Sequence, residues 1–249
     1  MSYHGYINQI CNIASAFPMP AVLEIGIDKG QTLFPVVNNL TRICAQQKKK
    51  FLYLGIDIEL REHVKGACEV INRDIYGPLP DKPHGPERMI GLVELREGNS
   101  LDVMPKLVEA NADAAFSVAL IDGDHNYYTV SREIECAASL LAPQGIIICD
   151  DYDGPGGCQD EFFSETTEFF EGEKPPEGLV SREEVRKEKQ GVKAAVDEFL
   201  ANNKHWTSHK VFVDSEPIVL FRKDQIEFKT KALDEASGLE SYFVEWRFL

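Results

Sequence analysis

The residues best suited to chemistry lie in two short stretches, ALIDGDHNYY at 119–128 and IIICDDY at 146–152. Each opens as an apolar run of the kind that forms a buried strand, and each ends in acids: Asp122 and Asp124, then Asp150 and Asp151. In open α/β sheets ligands bind at the carboxyl ends of the strands, so neighbouring strands would bring Asp122, Asp150 and Asp151 together. Carboxylates crowded in this way repel and usually need a cation to remain ionised. An all-oxygen set suits a hard divalent ion such as Mg²⁺, which keeps waters and accepts one or two substrate oxygens. A metal held there would lower the pKa of a substrate hydroxyl and orient it. His125, three residues past Asp122, is the candidate base for that proton, because imidazole titrates near operating pH. The catalytic candidates are therefore His125 and Asp122. The alternative is that Asp124 and His125 only cap the helix that follows.

A second informative stretch is VLEIGIDKGQT at 22–32, a buried strand running into a turn with glycines at 26 and 30. Gly26 permits backbone angles closed to other residues and lets a ligand approach the main chain. The helix beginning there offers free N–H groups to a carboxylate. Glu24, at the strand end, is placed to receive an ammonium group, as in an amino-acid-like ligand. The spacing is G-x-x-x-G, not the G-x-G-x-x-G of dinucleotide binders, which disfavours a nicotinamide oxidoreductase. The next apolar run, YLGID, ends in Asp57, and an acid at the end of strand two is the usual grip on a ribose hydroxyl pair in these folds.

The elements that must position these residues alternate along the chain. Strands are expected at 21–25, 51–56, 92–96, 118–121 and 145–149, with helices at 30–46, 60–72, 101–109 (capped by Ser100) and 127–141 between them. A helix at 183–202 and strands at 207–213 and 217–221 follow. This predicts one domain over 1–249: a Rossmann-like, doubly wound α/β fold with a mostly parallel seven-stranded sheet and helices on both faces. An N-terminal helical segment (1–20) precedes it, and a C-terminal tail (223–249) ends in SYFVEWRFL, aromatic enough to pack on the core or on a second subunit. Between Asp150 and Glu184 stand twelve acidic residues against two basic ones, with Phe162, Phe163, Phe169 and Phe170. Such a segment, 151–182, is either a solvated acidic loop or a lid over a substrate.

Composition narrows the function. With 26 basic and 41 acidic side chains the formal charge is −15, which argues against a nucleic-acid partner. No apolar run is long enough to span a membrane and the N-terminus does not read as a signal peptide. The six cysteines form no C-x-x-C pair, so reduced thiols and a cytoplasmic location are expected.

In these motifs the chain resembles the class I S-adenosylmethionine-dependent methyltransferases. Their first motif, E/D-x-G-x-x-x-G-x-S/T, is matched by Glu24, Gly26, Gly30 and Thr32. The resemblance implies that this turn carries the methionine part of S-adenosylmethionine, that Asp57 binds the ribose, and that Gly98, Asn99 and Ser100 face the adenine. Asp122 would also border the cofactor. The acid pattern is similar to the metal-dependent O-methyltransferases of the catechol and caffeoyl-CoA type and of the macrocin and mycinamicin sugar type. That likeness implies Asp122, Asp150 and Asp151 as metal ligands and His125 as base; catechol-type enzymes use a Lys in this area, a departure here. It spans residues 20 to 222. The implied function is metal-assisted O-methylation of a small hydroxylated molecule, whether sugar, phenol or natural product. The alternatives are a metal-independent N-methyltransferase and an inactive cofactor-binding module.

Overall fold

A computed structural model describes residues 3–76, 90–110, 116–154, 157–172, 174–185, 189–210, 217–232 and 242–249. Helix α1 (Tyr3–Ala16) leads into β1 (Ala21–Ile25), and the elements then alternate as α2 (Leu33–Gln47), β2 (Phe51–Asp57), α3 (Glu62–Tyr76), β3 (Gly91–Glu97), α4 (Ser100–Ala110), β4 (Phe116–Ile121), α5 (Tyr127–Leu140) and β5 (Leu141–Cys149). After an irregular stretch holding one 3-10 turn (Phe163–Glu165) come α6 (Gly191–Asn202), β6 (Trp206–Lys210) and β7 (Ile218–Arg222). The seven strands form one sheet in the order β3-β2-β1-β4-β5-β7-β6, parallel except for β7. The expected doubly wound, mostly parallel α/β sheet is therefore present.

Strand residues alternate between two cores. Val22, Tyr53, Val118, Leu120 and Ile146 pack with the apolar stripes of α1, α2 and α3. Leu23, Leu54, Ile56, Ala119 and Ile147 pack with those of α4, α5 and α6. Because both faces are covered, the strands read as continuous apolar runs, and each buried aliphatic side chain contributes roughly 1.5–3 kcal/mol. The strand order reverses between β1 and β4, which lie side by side. The crevice at such a reversal is the ligand site of doubly wound sheets.

Helix α2 starts at Leu33, not at 30, and β5 at Leu141, not at 145; three further differences from the sequence reading concern α6, the cap of α4 and the tail. Helix α6 starts at Gly191, not at 183: Gly191 has φ of +77° and its amide donates to Asp160 Oδ1 at 2.7 Å, which fixes the helix start to the acidic segment. Asn99, not Ser100, caps α4, its Oδ1 accepting the Leu101 amide at 2.8 Å. The tail contains two further strands, β8 (Ile226–Ala232) and β9 (Tyr242–Phe248), paired antiparallel with Phe228 opposite Trp246. This ribbon packs on the core through Phe228 on Phe221 (4.6 Å between ring centroids) and Phe248 on Phe17 (5.2 Å). Residues 77–87 of the stretch YGPLPDKPHGPE, expected as a Pro- and Gly-rich loop, and residues 211–213 of the expected sixth strand lie outside the described residues. Among the described residues no helix is long and apolar enough to cross a membrane.

Candidate active site

The carboxyl ends of β1, β2, β4 and β5 open on one cavity of about 410 Å³ at the strand reversal. Its wall carries Glu24, Asp28, Asp57, Asp122, Asp124, Glu133, Asp150, Asp151 and Glu161; among the described residues His125 is the one basic side chain that lines it, with no Lys or Arg. Of the residues singled out from sequence, Glu24, Gly26, Thr32, Asp57, Gly98, Asn99, Ser100, Asp122, His125, Asp150 and Asp151 all line it. Gly30 does not. It shapes the turn from behind, with φ of +76° and its amide donating to Ile27 O at 2.7 Å.

The glycine turn is tighter than a ligand-approach argument requires. Gly26 has φ of +85°, and a Cβ there would lie 1.9 Å from the Asp122 carbonyl oxygen. The absent side chain thus makes room for the end of β4, whose Asp122 amide donates back to Ile25 O at 2.9 Å. Asp57 holds the same turn from the other side. Its Oδ2 accepts the amides of Ile27 (2.7 Å) and Asp28 (3.0 Å), and its Oδ1 accepts that of Glu59 (3.0 Å). A carboxylate has about four lone-pair sites, so Asp57 can anchor the turn and still accept a further donor from the cavity.

Glu24 is 1% exposed and accepts a hydrogen bond from the Tyr53 hydroxyl. Burial first, and then the charges of Asp122 and Asp57, push its pKa up to about 8 despite that hydrogen bond. A cation in the cavity would oppose both effects and favour the carboxylate.

The ends of β4 and β5 lie side by side, with the Asp150 amide donating to Ile121 O at 3.0 Å. His125 sits between two of them. Its Nδ1 is 2.8 Å from Asp151 Oδ2 and its Nε2 is 3.5 Å from Asp122 Oδ1. Burial disfavours the imidazolium, but hydrogen bonds and charge from Asp122 and Asp151 outweigh it and raise the pKa to about 10. Asp151 is held below its ordinary range by His125, whereas burial and the neighbouring Asp122 and Asp151 push Asp150 up to about 7. This arrangement favours the imidazolium over the neutral imidazole that a base requires. Among the described residues, no three His, Cys, Asp or Glu side chains converge as a metal ion requires. Nor do Asp124 and His125 cap α5: Asn126 does, its Oδ1 accepting the Thr129 amide at 2.9 Å.

At the other end of the cavity, Asn99 is already engaged on both sides. Its Oδ1 takes the Leu101 amide and its Nδ2 donates to Gly178 O at 2.5 Å. The Ser100 hydroxyl donates to Glu133 Oε1 at 2.5 Å. Glu133, 1% exposed, has its second carboxylate oxygen buried and without a hydrogen-bond partner. Burial, with Asp124 adding, pushes its pKa up to about 7.

The acidic segment contributes Glu161, Phe163, Phe169, Phe170, Leu179 and Val180 to the cavity wall. It is tied down along its length. The Phe163 amide donates to Asp124 Oδ1 (3.0 Å), Arg61 Nη2 donates to Phe169 O (2.8 Å), and the Glu171 amide donates to Glu59 Oε1 (2.8 Å). Phe163 and Phe169 stack with centroids 4.7 Å apart, and Phe163 lies 5.6 Å from the His125 ring.

Sequence reasoning missed Glu133 and the bracing role of Asp124. Glu133 had a readable signal: it falls on the buried stripe of α5 with Val130, Ile134 and Ala137, where an acid needs a reason to be. Asp124 had none, because its partners Phe163 and Thr129 are fixed only by the fold.

A family model described as a methyltransferase domain matches residues 23–152. No curated protein matches the chain in sequence. Among solved structures, the fold is similar to the O-methyltransferase TomG from Streptomyces achromogenes, solved with S-adenosylmethionine (13% identity over 89% of this chain and 81% of that one, TM-score 0.51). It is similar also to CalS11, a TDP-rhamnose 3′-O-methyltransferase of calicheamicin biosynthesis (14% identity over 88% of this chain and 78% of that one, TM-score 0.55). At these identities the likeness is one of fold. The matched model runs from the strand before the glycine turn to the Asp150–Asp151 pair, more than half of the sequence, and the chain belongs to the methyltransferase-domain family.

Proposed function

We propose that the chain transfers the methyl group of S-adenosylmethionine to a hydroxyl oxygen of a small molecule, assisted by a divalent cation. The observation that carries this reading is the charge of the cavity: carboxylates at β1, β2, β4, β5 and α5 line it, with no Lys or Arg lining it among the described residues. S-adenosylmethionine brings a sulfonium and an ammonium, both cationic, to such a wall. A dinucleotide would bring a pyrophosphate, which the same wall repels. The glycine turn would hold the amino-acid end, Glu24 the ammonium, and Asp57 a ribose hydroxyl.

Asp122, Asp150 and Asp151 would supply the oxygen ligands Mg²⁺ takes if their side chains drew closer together than they stand in this structure, and burial beside Asp122 and Asp151 raises the pKa of Asp150, as in a group short of positive charge. A bound divalent ion would supply an electrophilic contact that acidifies the acceptor hydroxyl. His125 lies against both Asp122 and Asp151, so a metal and an imidazolium would compete for the same carboxylates. Loss of those ion pairs would return His125 toward its ordinary pKa, where it can take the hydroxyl proton. The aromatic residues of the 151–182 segment would cover the acceptor as a lid, excluding water from a reaction in which alignment is most of the protein's work.

The His125 ion pairs also favour a second reading, a metal-independent enzyme acting on an amine, since the imidazolium meets part of the charge requirement. Turnover on hydroxylated and amine acceptors, with Mg²⁺ and with excess chelator, separates the two. Hydroxyl methylation abolished by chelator supports the first, and amine methylation indifferent to chelator replaces it.

A further inference from the structure

We propose that the acidic segment is a gate over the cofactor end of the cavity and that Arg61 is its latch, so that an adenosyl ligand enters and leaves only when this contact breaks. The inference rests on the cofactor reading above. From Phe163 onward the segment is pinned on opposite sides of the glycine turn. The Phe163 amide donates to Asp124 Oδ1, beyond β4. Phe169 O accepts from Arg61 Nη2 at 2.8 Å, and the Glu171 amide donates to Glu59 Oε1 at 2.8 Å, both partners lying beyond β2. Asn99 Nδ2, beyond β3, donates to Gly178 O. In the strand order β3-β2-β1-β4, β1 stands between these anchors. A chain that runs from Asp124 to Arg61 therefore passes over the turn that follows β1. Phe169, Phe170 and Asp28 of that turn accordingly line one cavity.

Arg61 joins the segment directly to the turn. Its Nη2 has two N–H groups, and it stands against Asp28 Oδ1 as well as Phe169 O. The Asp28 carboxylate thus holds the guanidinium in place for the segment. The Phe163 pin is half-buried, whereas those at Arg61, Glu59 and Asn99 lie at the surface. Backbone hydrogen bonds exposed to solvent mark the regions that open at least cost. The segment therefore opens from the β2 side, with the Asp124 contact as its hinge.

Surface plasmon resonance on the immobilised full chain, with S-adenosylhomocysteine as the probe, reads both rate constants. Arg61→Ala should raise association and dissociation alike by about tenfold, the weight of one charge-assisted hydrogen bond, while their ratio changes less. Arg61→Lys, which keeps a cation beside Asp28, should recover part of the slow exchange. Glu59→Ala, which releases the Glu171 amide, should act in the same direction and serves as the test if Arg61→Ala does not fold. A residue that only braces the turn would not slow ligand entry, so faster association is the decisive sign. Association no faster than in the wild type, in a folded Arg61→Ala or else in Glu59→Ala, would overturn the gate even if dissociation quickened. A wild-type protein that binds no S-adenosylhomocysteine would overturn the cofactor reading, and the gate with it.

Discussion

Asp57, at the end of β2, holds the glycine turn that follows β1 by accepting the amides of Ile27 and Asp28 at 2.7 and 3.0 Å. The acid expected to grip a ribose is thus also a structural brace, and the two tasks predict different outcomes. Asp57→Ala should cost about 1–3 kcal/mol of stability, because it leaves amides of the turn unpaired, and should weaken cofactor binding as well. Asp57→Asn, which keeps one acceptor oxygen, should recover part of the stability. An Asp57→Ala protein with an unchanged melting temperature would show that the turn stands without it.

Gly26→Ala should be far more damaging than an exposed Gly→Ala exchange, since its Cβ would meet the Asp122 carbonyl at 1.9 Å. The expected outcome is loss of cofactor binding together with a lowered melting temperature. Measured by thermal melting and calorimetry, a variant with native affinity would mean that the β1–β4 contact relaxes freely.

Stability of the ligand-free protein should depend on pH with a definite sign. Glu24 and Glu133 are raised from 4.5 to about 8 and about 7. Over that interval the folded state keeps protons that the unfolded chain has released, so stability falls as pH rises. His125, raised from 6.5 to about 10, contributes stability that is full below 6.5 and is lost as pH rises through 10, the same direction. The melting temperature should therefore decline between about pH 5 and about pH 8, and Glu24→Gln should flatten the decline. A rise over this window would contradict the burial argument.

How legible was all this in the sequence? The strands were readable because both faces are buried: runs such as Val118–Ala119–Leu120 and Ile146–Ile147–Ile148 carry no polar residue to blur them. The acids at their ends could be placed because sheet order follows from alternation of strands and helices. The state of His125 could not, since it depends on Asp122 and Asp151 meeting one ring from two different loops. The β8–β9 ribbon escaped notice because its pairing partners are ten or more residues apart in a segment rich in both charge and aromatics.

If Asp150 and Asp151 serve a metal, the double variant Asp150→Asn, Asp151→Asn should lose metal-stimulated turnover while keeping most of its affinity for S-adenosylhomocysteine. His125→Ala should lower kcat by roughly a hundredfold or more, the usual share of a general base, and affect binding little. Full activity in the double variant would dismiss the metal, and an unchanged kcat in His125→Ala would dismiss the base.

The central claim is that the acidic cavity takes an adenosyl cofactor bearing positive charge. Calorimetric titration of S-adenosylmethionine and S-adenosylhomocysteine, with and without Mg²⁺ and beside NAD, tests it most directly. The account predicts micromolar binding of the adenosyl ligands and none of NAD. Absence of adenosyl binding under both conditions would contradict it.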